Sequence, residues 1–175
     1  MLILYIVLGI IGLIIILSII APKKYNVERS VIIDRPLPEV YKYLTFIKNQ
    51  DYWSPWKKRD PNMKQVHTGV DGKIGFVNKW DSSHKQLGTG EQELVTLVEN
   101  EKIESELRFL KPFKSTSTGY FLVKELAPSK TEVTWGFRGT NKPPMNIMMM
   151  FFNMDKAVGK DFEEGLAKLK EVLEN

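Results

Sequence analysis

The chain has 175 residues, 43% hydrophobic and 26% charged, the proportions of an ordinary globular protein, so wholesale disorder, collagen and repeat arrays are excluded. Cysteine is absent, which removes disulfides, thiolate metal sites, cysteine nucleophiles and cysteine-linked lipid anchors. The net charge of +4 favours an anionic membrane surface and is too small to argue for a nucleic-acid partner.

Charge is unevenly placed. All 25 Lys and Arg and all 21 Asp and Glu lie after Ala21. Leu2 to Ala21 reads LILYIVLGIIGLIIILSIIA, and as a helix it is about 30 Å long, the thickness of a bilayer core. Pro22 ends it, and Lys23 and Lys24 fall where headgroups would be. A membrane anchor over residues 2–21 is therefore expected. A cleaved signal peptide would need a basic n-region, which is missing, and Ile19 is a poor residue three positions before a cut at Ala21. A buried core helix would carry some polar face. Gly9 and Gly12 are three apart, so the four-residue spacing of close-packed helix dimers is absent. Lys23, Lys24, Arg29 and Arg35 follow the span, and the positive-inside rule places the rest of the chain in the cytoplasm, as a single-pass protein.

Residues 23–175 read as one domain. Tyr25 to Asp34 alternates and is rich in Val and Ile, a strand, stopped by Arg35-Pro36-Leu37-Pro38. A helix follows, with Glu39 near its N-terminus and Val40, Tyr41, Leu44 and Ile47 at helical spacing. Residues 49–61 form a loop or short helix. From Met63 to Thr140 the period becomes two. Strands are expected at 63–68, 73–80, 88–98, 102–109, 116–126 and 131–140, the first pair joined by an Asp71-Gly72 hairpin turn. Ile103, Ser105, Leu107 and Phe109 alternate with charged residues, giving one dry and one wet face. After Pro143-Pro144 a helix is expected over Asn146 to Glu174, its stripe running Ile147, Phe151, Met154, Val158, Phe162, Leu166, Leu169 and Leu173. A mostly antiparallel sheet covered by a long last helix is α+β, and the space between them is where a ligand would go.

VERSVIIDRPLPEVYKYL followed by DYWSPW resembles the opening of the polyketide cyclase/dehydrase-like proteins of the START-like, or SRPBCC, superfamily, whose best-known fold is that of the birch pollen allergen. The shared pattern is Arg29, Ile33, Pro36, Glu39-Val40-Tyr41 and the Trp53 to Trp56 loop; KDFEEGLAKLKEVLEN is similar to the family's closing helix. The resemblance covers about residues 25–175. It implies a helix-grip fold: a seven-stranded antiparallel sheet, two short helices, and a long C-terminal helix across the mouth of an apolar cavity. It also implies a lipid, sterol, polyketide or other hydrophobic guest. Family members range from carriers to aromatase/cyclases and chaperone activators, so the resemblance speaks to fold more than to reaction.

No catalytic set is expected. His67 and His84 are the only histidines and form no metal-ligand spacing, so neither a metal nor a cofactor is called for. Gly88-Thr89-Gly90 lacks the Lys-Ser/Thr of a phosphate loop and reads as a bulge. Glu91 and Glu93 read as a solvated strand face. The aromatic set is more telling. Trp53, Trp56, Phe76, Trp80, Phe109, Trp135 and Phe137 fall on loops or dry faces, with Asn78, Ser105 and Leu107 at matching parity. Five of the seven Met fall between Met145 and Met154, around Phe151 and Phe152. A Met-rich segment of this kind serves a cavity gate, a membrane-touching patch or simple burial; Met148 and Phe151 join the expected ligand site. The leading reading is a membrane-tethered binder of a hydrophobic small molecule or lipid, without covalent chemistry. Alternatives are a cyclase/aromatase-type enzyme using Asn78, Ser105 or Glu93, and a protein-interaction module with no ligand.

Overall fold

A computed structural model describes residues 1–175. Helix α1 (Leu2–Ile20) is apolar on every side, and Ser18 is its only buried residue. Its surface has no polar face to turn outward, and only its last turn, at Ser18 and Ala21, meets another part of the chain. By length and composition it is the one helix able to cross a membrane.

The rest alternates as its side chains dictate. Strand β1 (Lys24–Ile33) is followed by α2 (Leu37–Thr45), entered through Pro36 with Glu39 in its first turn. A 3₁₀ turn (Ile47–Tyr52) leads to the short α3 (Pro55–Arg59). Then come β2 (Lys64–Thr68), β3 (Val77–Asp81), β4 (Thr89–Val98), β5 (Lys102–Lys111), β6 (Ser115–Ala127) and β7 (Lys130–Thr140). A second 3₁₀ turn (Met145–Met150) precedes α4 (Met154–Glu174). The seven strands form one antiparallel sheet in the order β1-β7-β6-β5-β4-β3-β2, the helix-grip arrangement.

Two sequence expectations are corrected. The strand expected at 73–80 begins only at Val77, and the link from β2 is a loop over 69–76 in place of a tight hairpin. Gly69, Gly72 and Gly75 all have positive φ there, which breaks the extended run. Asp71 pins the loop by accepting the backbone N–H groups of Ile47 (2.9 Å) and Lys48 (3.2 Å). The long C-terminal helix is also interrupted. Asn153 caps a fresh start by accepting the Lys156 N–H at 3.0 Å, so residues 145–150 stay a separate turn. Phe151 therefore leaves the apolar stripe and is 84% exposed.

Helix α4 is held across the sheet at both ends. Arg29 on β1 donates to Asp155 (2.9 Å) and Glu163 (2.7 Å), and its guanidinium fills the space over Gly159, where a Cβ would sit 2.4 Å from Nη2. Arg35 donates to the last carbonyls of the helix, at Leu173 (2.6 Å) and Glu174 (2.9 Å). Between these clamps Phe162, Leu166 and Leu169 pack on Val27, Ile33 and Val133, all essentially buried.

Candidate ligand-binding cavity

The core does not fill the whole space under α4. A cavity of about 220 Å³ remains between Val158 and Phe162 of the helix and the inner face of the sheet. Alternation on β5 turns Ile103, Ser105, Leu107 and Phe109 toward it, and Phe121, Trp135 and Phe137 continue the floor on β6 and β7. Gly119, paired with Ser105 on one side and Phe137 on the other, leaves open floor where a side chain would stand.

The aromatic walls are ordered by one another. Trp135 stacks on Phe162 at 4.4 Å and on Phe121 at 5.7 Å, with Trp53 and Trp56 edge-on at 5.0 and 5.2 Å. Trp80 stands edge-on to Phe109 at 5.9 Å and donates its indole N–H to the Leu87 carbonyl at 3.2 Å. Its ring lies over Gly90, where a Cβ would be 2.4 Å from Cζ2. The polar groups at the wall are few: Gln92 donates to Ser105 Oγ at 3.2 Å, and Gln50 and Gln86 stand nearby. The Tyr120 hydroxyl is directed elsewhere, its single proton shared between Glu28 Oε2 (2.6 Å) and Asn26 Oδ1 (2.8 Å). Burial raises its pKa. No carboxylate, imidazole or amine lines the cavity.

The residues singled out in the sequence divide. Trp56, Trp80, Ser105, Leu107, Phe109, Trp135 and Phe137 stand together at the wall. Trp53 and Phe76 are packed into the core, 4% and 1% exposed, because the loops that carry them fold under the sheet. Asn78 is buried beside Gln92 on the next strand, off the wall, and its Oδ1 has no hydrogen-bond partner. Met148 and Phe151 are exposed and outside the cavity, since the helix restarts after them. Glu93 is held by Arg108 (2.7 Å) together with Glu91 (3.2 Å) and Glu106 (2.5 Å), off the cavity wall; Arg108 keeps the Glu91 carboxyl below its ordinary pKa. His67 is exposed and stacks against Phe76, and no cluster of three His, Asp or Glu side chains is placed to hold a metal ion. Gln92, Gly119 and Phe121 were missed. The parity of Gln92 with Gly90 and Leu94, opposite to the charged Glu91 and Glu93, was the available signal.

A seven-stranded sheet gripping a C-terminal helix over an apolar chamber defines the class of hydrophobic-ligand-binding and cyclase-type helix-grip domains. The family model described as polyketide cyclase / dehydrase and lipid transport matches residues 24–174, and the chain belongs to that family. Solved structures share the fold at low identity. A protein from Thermobifida fusca superposes with a TM-score of 0.63 at 14% identity, over 85% of this chain and 92% of its own. The Aha1 dimer protein from Colwellia psychrerythraea gives 0.59 at 14%, covering 86% and 96%. The Zhui aromatase/cyclase from Streptomyces sp. R1128 gives 0.59 at 13%, covering 86% and 94%. A comparison with curated proteins finds no match.

Proposed function

We propose that this protein is a membrane-anchored binder of a small hydrophobic molecule or lipid chain, held between the sheet and α4 without covalent chemistry. In this reading residues 1–22 are the anchor and residues 23–175 the binding domain. The observation that carries it is the cavity itself: aromatic and aliphatic walls, three glutamine amides, the Ser105 hydroxyl, a Tyr120 whose hydroxyl is engaged by Asn26 and Glu28, and no carboxylate, imidazole or amine. General acid–base chemistry would need such a group within reach of the guest, which favours binding over a cyclase reaction. At about 220 Å³ the chamber has room for roughly seven waters at ~30 Å³ each. That fits a one- or two-ring molecule or a segment of one acyl chain, and is far too small for a whole phospholipid.

A retained anchor is supported by Asn146. It is fully buried against the end of α1 and donates to the Ser18 (2.8 Å) and Ala21 (3.1 Å) carbonyls, acceptors that cleavage after the span would remove. Lys23, Lys24, Arg29 and Arg35 favour a cytoplasmic domain.

Trp56, Trp80 and Trp135 stand at the wall and report on an occupant. The full chain in lipid nanodiscs, titrated with a two-ring aromatic amine, is expected to show a saturable change in tryptophan emission. A response that only rises linearly, as partitioning into the lipid does, contradicts the binding role.

A further inference from the structure

The register of the sheet gathers several features at one end. Lys24 pairs with Thr140, Phe109 with Ser115, Lys111 with Thr89, and Asp81 with Thr89. The start of β1, the end of β7, the β5–β6 turn and the 82–88 loop therefore share that end. Helix α1 leaves from it as well. Only Pro22 and Lys23 separate Ala21 from β1, a tether of about 10 Å. The 145–150 turn is fastened to the last turn of α1 through Asn146.

This end is apolar where it faces outward. Phe151 is 84% exposed, Phe113 at the β5–β6 turn 75%, Met148 56%, Met145 55% and Phe152 51%. It is also basic. Lys23, Lys24, Lys111, Lys114, Lys142 and Lys156 are exposed, and none pairs with a carboxylate. The β4–β5 turn at the opposite end is Glu99-Asn100-Glu101. The cavity reaches toward the same apolar and basic end, since Trp80, Phe109 and Phe137 line it from the closing parts of β3, β5 and β7, Val158 from the first turns of α4, and Leu87 from the 82–88 loop.

We propose that this end of the domain lies on the bilayer, with Phe151, Phe152 and Phe113 in the leaflet and the six lysines among anionic headgroups, so that the cavity mouth opens onto lipid. The proposal rests on the reading of α1 as a retained anchor. Unpaired lysines around the apolar residues would repel the same face of a second copy, and they complement an anionic lipid surface. The short tether leaves this end no distance to stand off from the membrane.

The absence of cysteine makes the test direct. Single-cysteine variants of the full chain, Leu13→Cys, Phe113→Cys, Phe151→Cys and Ser129→Cys, carry an environment-sensitive dye in vesicles of phosphatidylcholine and phosphatidylglycerol containing brominated acyl chains. Positions 113 and 151 are expected to lose emission to the lipid quencher as position 13 does, while position 129 in the β6–β7 turn keeps it. Quenching at 13 with none at 113 and 151 overturns the docked end and leaves the anchor standing. No quenching at 13 overturns both. Shielding of 113 and 151 from lipid and from aqueous iodide alike assigns the face to a second copy and also overturns the proposal.

Discussion

Gly119→Leu separates a cavity that holds a guest from one that is merely a packing defect. Gly119 stands on the cavity floor with ordinary strand φ, and a Cβ there meets only the flexible Leu107 side chain, at 3.1 Å from Cδ1. A leucine adds four carbons, each taking about the ~30 Å³ of one water, so roughly half of the 220 Å³ is filled. Burying the new side chain contributes about 1.5–3 kcal/mol, and crowding Leu107 costs about 1–3 kcal/mol. These offset one another, so the melting temperature is expected within about 4 °C of the parent. The guest loses room for about four of its own atoms. At about 0.3 kcal/mol or more per ligand atom, affinity falls at least roughly tenfold, and further for a rigid ring system. Titration of both proteins in nanodiscs with the same aromatic amine, alongside circular-dichroism melts, reads the two quantities separately. Equal saturable binding by a folded Gly119→Leu variant would refute the assigned site.

Other perturbations have defined outcomes. Gly90→Ala puts a Cβ 2.4 Å from the Trp80 ring and 2.7 Å from the Arg108 carbonyl oxygen; it should cost about 1–3 kcal/mol, with Trp80 emission shifted toward the solvent-exposed value. Trp135→Ala removes the ring shared by four aromatic neighbours and should cost about 3–5 kcal/mol in chemical denaturation, a loss large against ordinary domain stability. Asn146→Leu leaves the Ser18 and Ala21 carbonyls without their donor and should cost about 1–3 kcal/mol, read as faster amide exchange through residues 18–24 and 145–152. Acid should loosen α4. Arg29 holds the Asp155 carboxyl below its ordinary 3.8, and the Asp34 N–H holds that of Glu174 below 4.5. Because both folded values are depressed, their stabilisation is complete above the ordinary values and is lost as the pH falls through the folded ones. Melts should therefore weaken below about pH 4, and Arg29→Gln should remove the Asp155 share of that dependence.

Much of the fold was legible because its elements carry plain patterns. The parity of β5 and β7 named Ser105, Leu107, Phe109, Trp135 and Phe137 as facing one way, and the structure brings them to one wall. What escaped was set by single residues that overrule a pattern. Glycines of positive φ turned the expected run before Val77 into a loop and sent Phe76 into the core. Asn153 and the first-turn Asp155 restarted the last helix, which removed Met148 and Phe151 from the cavity and left them on the surface. A capping residue followed by an acidic first turn was visible in the sequence, but a continuous apolar stripe concealed it. Trp53 and Trp56 are three apart with opposite fates, one in the core and one at the wall, because the path of the chain through α3 decides which way each ring turns.

The most direct test of a ligand-binding role is native mass spectrometry of the full chain released from nanodiscs prepared without detergent. A reproducible bound species of small mass, present in the parent and absent from Gly119→Leu, is the predicted result. A parent protein that emerges with no bound mass, or with the same species as Gly119→Leu, would contradict it.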